Sequence, residues 1–344
     1  MPEAARHLTL LIPSLPEPLA ASSTGWQPPD RAPALETLVA RARREPGGGP
    51  AALETLLFGQ FGLRPRPDRD LPVAAATRAG DCGTVDNGWW LRVDPVHLRP
   101  DQDRLLLFGP SVLDLHQDEA DALVAGLNDL YGADGWRFEA PVPQRWYLRL
   151  PDEAALVTTP LPEAVGRDIH PRLPDGAHGL HWHAVLNEMQ MFLHASEVNQ
   201  RREAQGRPVV NSVWPWGGGR APAGLRSPWH RVESSEPLAA GLARIAGAAG
   251  GEASADFGAW LGQDWRGRGL VVLDGLRQHV LDGDREGWCN AVSDLEQRWF
   301  VPLLEAVRAG RVAEVCLIGG GDLCYCLDRA ALRRWWRRPR PLVR

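Results

Sequence analysis

Between Asn199 and Pro222 the chain reads NQRREAQGRPVVNSVWPWGGGRAP, the stretch richest in residues that could do chemistry. It has the pattern of an amphipathic helix end, a short connector, an apolar strand and a glycine turn. Backbone N–H groups at Gly217-Gly218-Gly219, with the Arg220 guanidinium beside them, could cradle an anion. Arg145, with Arg92 and Arg149, supplies further groups able to grip phosphate or carboxylate bidentately. The same residues also describe a tight turn that lets strands pack closely, and both readings stand at this point.

A second group lies in DGLRQHVLDGD. Asp274, His279, Asp282 and Asp284, together with Asp322 after Gly319-Gly320-Gly321, are donor types that hold divalent metals. His178, His181 and His183 form H-x-x-H-x-H, with His170 upstream and Glu188 downstream. That spacing matches no standard zinc motif, and polar surface is the plainer reading. Ser14 and Cys82 are nucleophilic types to which the sequence assigns no base. Cys324-x-Cys326 lacks the redox C-x-x-C spacing and is expected as two buried thiols.

Composition narrows the classes. All 38 basic residues are arginine, which excludes Schiff-base lysine chemistry and a Walker A lysine. A formal charge of −5 argues against wholesale capture by nucleic acid or an anionic membrane. With 344 residues the chain can form two domains, or one α/β domain with an insertion. No stretch approaches the ~20 apolar residues of a membrane span, and MPEAARHLTLLIPSL lacks a signal-peptide pattern. Five cysteines without framework spacing are expected as free thiols, and the expected compartment is a reducing bacterial cytoplasm.

The elements that must position these groups follow from periodicity. Leu8 to Ile12, Gly269 to Leu273 and Val312 to Ile318 read as buried strands. Helical faces are expected at 35–42, 53–61, 118–131, 183–205 and 238–248. A longer one spans 288–307, with Pro302 kinking it. Residues 89–93, 104–108, 136–140 and 145–150 read as strands around the helix 118–131, a compact α+β unit. The expected architecture is an α/β core, 1–80 with 166–344, carrying an inserted α+β lobe, 81–165.

Asn199, Arg202, Gly206, Asn211, Trp214, Gly217, Gly219 and Pro222 fall at spacings that resemble the signature of archaeal-type cofactor-independent phosphoglycerate mutases. Those are metalloenzymes of the alkaline phosphatase superfamily, so the resemblance implies an alkaline-phosphatase-like three-layer core. LHQDEADALVAGLN (115–128), RWYLRL (145–150), LNE (186–188) and PLLE (302–305) extend it over roughly 85–325. Over nearly the whole chain, WLRVDPVHL (90–98), DRLLLF (103–108), RWYLRL and NSVWPWGGG (211–219) resemble the RpfE-type regulatory proteins of proteobacteria.

The mutases hold two metals with an Asp-Gly-x-x-Asp cluster after strand one, a Thr-Asp-x-x-Gly-His segment and a late Asp-His-Ser-Thr cluster. This chain has Pro13-Ser14-Leu15-Pro16-Glu17-Pro18 at the first place. At the second it keeps Asp274, His279, Asp282 and Asp284 at other spacings, and at the third it has only Asp322. Ser196 stands where the family has a histidine before the first Asn. The expectation is a degenerate, non-catalytic mutase-like protein without a bound cofactor, acting as a regulatory or ligand-binding protein. Its ligand would be a small phosphorylated or carboxylated anion held by Arg202, Asn211, Gly217, Gly219, Arg220 and Arg145. One alternative is an active mutase or phosphohydrolase using Mn or Zn at Asp274, His279, Asp282, Asp284 and Asp322. The other is an interaction protein acting through the Arg/Trp-rich tail, residues 331–344. No membrane partner is expected, and nucleic acid is disfavoured.

Overall fold

The computed structural model describes residues 6–15, 31–47, 52–321 and 323–341. Strands β1 (Arg6–Leu11) and β2 (Arg43–Pro46) come first, followed by β3 (Trp89–Asp101), β4 (Arg104–Phe108), β5 (Arg137–Val142), β6 (Arg145–Leu150) and β7 (Ser212–Gly219). The chain closes with β8 (Arg231–Ser234), β9 (Ala249–Gly251), β10 (Gly267–Val272), β11 (Glu314–Ile318) and β12 (Leu323–Asp328). It divides into two compact units, Met1–Gly62 with Arg226–Arg344, and Leu63–Leu225.

The first unit is built on a seven-stranded sheet of order β2-β12-β11-β1-β10-β8-β9. β1 sits centrally and pairs in parallel with β10 and β11, while β12 and β2 close one edge antiparallel. A strand buried on both faces needs a nearly continuous apolar run, and β1 shows it from Leu8 onward. One face packs on the helices Pro33–Arg41 and Arg285–Leu295, through Leu35, Leu38, Trp288 and Val292. The expected kink at Pro302 takes the form of a π turn at Glu296–Phe300, just before the helix Val301–Arg308. Proline has no N–H to continue the ladder, and a single wide turn accommodates the gap. The π turn also places Glu296, whose carboxylate accepts the N–H groups of Ala34 (2.6 Å) and Leu35 (3.0 Å). It thereby caps a helix whose own first residues supply no side-chain cap.

The second unit is a sheet of order β4-β3-β6-β5, with β7 paired antiparallel to β3 on its other side. It covers more than residues 81–165, because β7 pairs along β3 from Trp90 to Val96 and the helix Val73–Cys82 packs against both strands. The amphipathic helix Gln117–Tyr131 buries Ala120, Leu123, Val124 and Leu127 of the face read from the sequence, whereas Leu130, read as its fifth member, is 40% exposed. The expected single helix 183–205 is two, Gly179–Ala195 and Glu197–Ala204, because Ser196 is extended and its hydroxyl accepts the Val198 N–H.

One expectation is corrected outright. Cys316 and Cys326 form a disulfide, and Cys82, Cys289 and Cys324 stand outside it. Their separation carried no framework signal, but the β11–β12 register sets the two residues directly opposite one another. No helix among the described residues is long and apolar enough to cross a membrane.

Candidate functional site

The glycine turn at 217–219 lies against one of the protein's own carboxyl groups, Asp70. Gly217 N–H donates to the Thr158 hydroxyl (3.1 Å) and Gly218 N–H to Asp70 Oδ2 (3.4 Å). The Thr158 N–H (3.0 Å) and hydroxyl both donate to the same carboxylate. Burial pushes the Asp70 carboxyl up, against the downward pull of those donors. Gly217 has φ of 65°, and a methyl group there would lie 2.7 Å from Cβ of Val73. At Gly219 the same addition would lie 2.7 Å from Cβ of Pro72. The two glycines thus admit the start of the helix Val73–Cys82, the close packing that a tight glycine turn permits.

The other residues of the array clamp the fold. The Asn199 amide donates to the carbonyls of Leu193 (2.8 Å) and Val210 (2.7 Å) and accepts the Val210 N–H (2.9 Å). Asn211 exchanges two 2.7 Å bonds with the Leu98 backbone, prolonging the β3–β7 ladder by a side chain. Arg202 is 0% exposed. Its guanidinium binds Glu119 Oε2 (2.7 Å) and the carbonyls of Pro208 (2.8 Å) and Leu113. Arg145 grips Asp81 bidentately at 2.7 and 2.8 Å. Arg220, on the exposed side, donates to the Asn87 carbonyl (2.6 Å). Arg92 is buried against Asp94. The six residues expected around a ligand are therefore brought to one unit, each with a protein partner.

The histidines do not converge. His178 accepts the Ala155 N–H (3.2 Å), His183 meets the Pro174 carbonyl (3.0 Å) and His170 meets Asp168 (2.8 Å). Glu188 accepts the Tyr131 hydroxyl (2.9 Å).

In the first unit, the place where open α/β sheets bind ligands is the carboxyl edge of the parallel strands. β1 leaves that edge through Ser14, whose φ of 65° is a left-handed conformation rare outside glycine. β11 leaves it through Gly319-Gly320-Gly321, and β10 through Asp274, which heads the helix Gly275–Asp282. Beyond Asp274 the donors are engaged with their own neighbours. His279 Nδ1 is 2.8 Å from Asp284 Oδ2, Asp284 also caps the next helix through the Gly287 N–H, and Asp282 accepts the Gln278 amide. Asp322 lies outside the described residues. Among the described residues no three His, Asp or Glu ligand atoms converge to metal-binding distance. Among the described residues, Asp274, His279, Asp282 and Asp284 thus do not converge as two-metal chemistry requires.

Three groups at this edge went unread in the sequence: Glu54, Glu236 and Arg277. Glu54 is 7% exposed; Oε1 takes a long 3.4 Å bond from Arg277, and Oε2 is buried without a hydrogen-bond donor among the described residues. Burial pushes the neighbouring Glu236 carboxyl up. The Leu238 N–H and Arg277 pull it down, and Asp274 and Glu54 raise it again. Only their depth distinguishes these carboxylates from surface ones, and depth has no linear signal.

A carboxyl whose folded-state pKa exceeds its unfolded value of about 4.3 adds stability below that value. It loses that contribution as pH rises through the folded pKa. Wild-type protein should therefore lose stability across this window, and Glu236→Gln should lose less. Denaturant midpoints taken from about pH 4 to about pH 8 check this; identical profiles for the two proteins would remove Glu236 as the titrating group.

No family model matches the chain. It is 26% identical over 200 residues to the probable 2,3-bisphosphoglycerate-independent phosphoglycerate mutase of Geobacter sulfurreducens, and 26% identical over 214 residues to the 2,3-bisphosphoglycerate-independent phosphoglycerate mutase of Methanosarcina barkeri. Each match takes in 56% of this chain, and 50% and 54% of those proteins. The chain thus spans about half the length of the curated relatives it matches. Among solved structures it is similar to the PH0037 protein of Pyrococcus horikoshii, with a TM-score of 0.62 at 14% identity over 94% of this chain and 87% of that one. The fold is of the α/β class expected from the sequence and is shared with the PH0037 protein, and over part of its length the chain is similar to phosphoglycerate mutases at low identity.

Proposed function

We propose that this phosphoglycerate-mutase-like protein does not carry out two-metal phosphoryl transfer and acts as a regulatory or ligand-binding protein, as the RpfE-type resemblance suggests. Its ligand is a small phosphorylated or carboxylated molecule, its compartment the bacterial cytoplasm, and it needs no metal cofactor. The observation that carries this reading is the engagement of His279, Asp282 and Asp284 with their own neighbours, on helices beyond the sheet edge. Two-metal catalysis requires such groups to converge on two cations. Phosphoglycerate is the first ligand to test, because the relatives are named for acting on it.

A rebuilt metal site is the second reading, favoured by the buried Glu54 Oε2 that takes no donor near Asp274. A protein partner at the tail is a further role, consistent with Trp335 and Trp336, 75% and 63% exposed.

Metal analysis of untagged protein, paired with a 3-phosphoglycerate mutase assay in excess manganese and calorimetry with 3-phosphoglycerate, tests the reading. Binding without turnover is expected. Turnover with metal that disappears in Asp274→Ala would establish the enzyme instead. Neither binding nor turnover would remove phosphoglycerate as the ligand.

A further inference from the structure

β11 and β12 carry three cysteines to one place. Cys316 and Cys326 face each other across the antiparallel pair and are joined as a disulfide. Residues two apart on a strand share a face, so Cys324 stands beside Cys326, with its Sγ 3.8 Å away. The three sulfurs all lie within 4.8 Å of one another. Val315, Leu317, Tyr325 and Leu327 turn to the opposite face and fill the core there. Cys316 and Cys324 are half-buried and Cys326 is buried, so the cluster is open on one side.

We propose that, once the disulfide is reduced, Cys316, Cys324 and Cys326 form a three-thiolate site for one Zn²⁺ ion. Tetrahedral zinc with Zn–S of about 2.3 Å places its sulfurs roughly 3.8 Å apart. Cys324 and Cys326 already stand at that separation. Reduction lets the Cys316 and Cys326 sulfurs move apart from bonding distance to the same spacing. Three thiolates select a soft or borderline cation over magnesium or calcium. The open side leaves the fourth position to water.

The chemistry balances with a dithiol as reductant. It gives two electrons and two protons to the Cys316–Cys326 bond and itself becomes a disulfide. Zinc then displaces the protons of all three thiols into solvent, and binding releases protons as metal–thiolate sites do. The disulfide and the zinc site are mutually exclusive states of the same strands.

The test uses the full chain, oxidised and phosphine-reduced, titrated with Zn²⁺ alone and with Co²⁺ as a spectroscopic probe. One equivalent of zinc is expected in the reduced protein only, and the cobalt form should show the near-ultraviolet charge-transfer band of thiolate ligation. Cys324→Ser keeps the disulfide pair and should lose stoichiometric binding, whereas Cys82→Ser/Cys289→Ser should retain it. Equal zinc uptake by oxidised and reduced wild type would overturn the site without relying on any variant. So would uptake that survives in Cys324→Ser. Because this zinc is independent of Asp274, its loss or retention is separable from the metal reading of the sheet edge.

Discussion

Replacing Asp94 with alanine should lower the unfolding free energy by about 3–5 kcal/mol, the range for removing one partner of a buried ion pair. Asp94 is 0% exposed and sits on β3 inside the second unit. Arg92 donates to it from Nε (2.9 Å) and from Nη2 (2.7 and 2.8 Å). Trp216 Nε1 (2.7 Å) and the Trp146 N–H (3.2 Å) complete the set. Burial opposes charge on Arg92, and Asp94 and Tyr147 together offset it, so the guanidinium is held above its ordinary range. The Arg92 guanidinium carbon also lies 5.3 and 5.1 Å from the ring centroids of Tyr147 and Trp216. Without Asp94 that cation has rings around it and no counter-charge, and two indole and backbone donors lose their acceptor.

The double variant Arg92→Met/Asp94→Ala should be less destabilised than Asp94→Ala alone, because it removes the stranded charge together with its partner. Urea unfolding of the wild type, both single variants and the double variant measures the coupling. A double variant that loses the sum of the two single losses would show that the pair is not coupled.

Arg202→Ala should cost a similar amount, about 3–5 kcal/mol, and Arg202→Lys should fall between it and wild type. The guanidinium joins the helix Glu197–Ala204 to Glu119 in the first turn of the helix Gln117–Tyr131 and to the carbonyls of Leu113 and Pro208. Glu119 would keep Arg207 at 3.2 Å, but the two carbonyls would be left without this donor and the side-chain volume would be empty. Lysine keeps the charge but presents a point donor where a planar fork spans three acceptors. Thermal and urea unfolding of the three proteins decide the matter. An Arg202→Ala protein as stable as wild type but impaired in binding 3-phosphoglycerate would return Arg202 to the ligand site.

These two residues show how far the linear chain can be read. Arg202 and Asn211 stand out because their array from Asn199 to Pro222 resembles the mutase signature. Their partners, Glu119 and Leu98, are 83 and 113 residues away. Spacing can mark a polar residue as special, but only the fold shows whether its donors meet a ligand or a backbone carbonyl. Arg92 and Asp94 stand two apart in WLRVDP and lay in view, yet nothing along the chain shows that they are buried together.

The sequence by itself determined the apolar strand β1, the amphipathic face of the helix Gln117–Tyr131 and the α/β class, because burial periodicity is a local property written residue by residue. The tertiary structure alone decided that the Gly217–Gly219 turn lies against Asp70, that Cys316 meets Cys326, and that Glu54 and Glu236 gather with Arg277 at the carboxyl edge. The physical reason is the range of the interactions. Helix and strand patterns arise from neighbours a few residues apart, whereas strand register and the desolvation of a carboxylate depend on elements that are remote in the chain and adjacent only after folding.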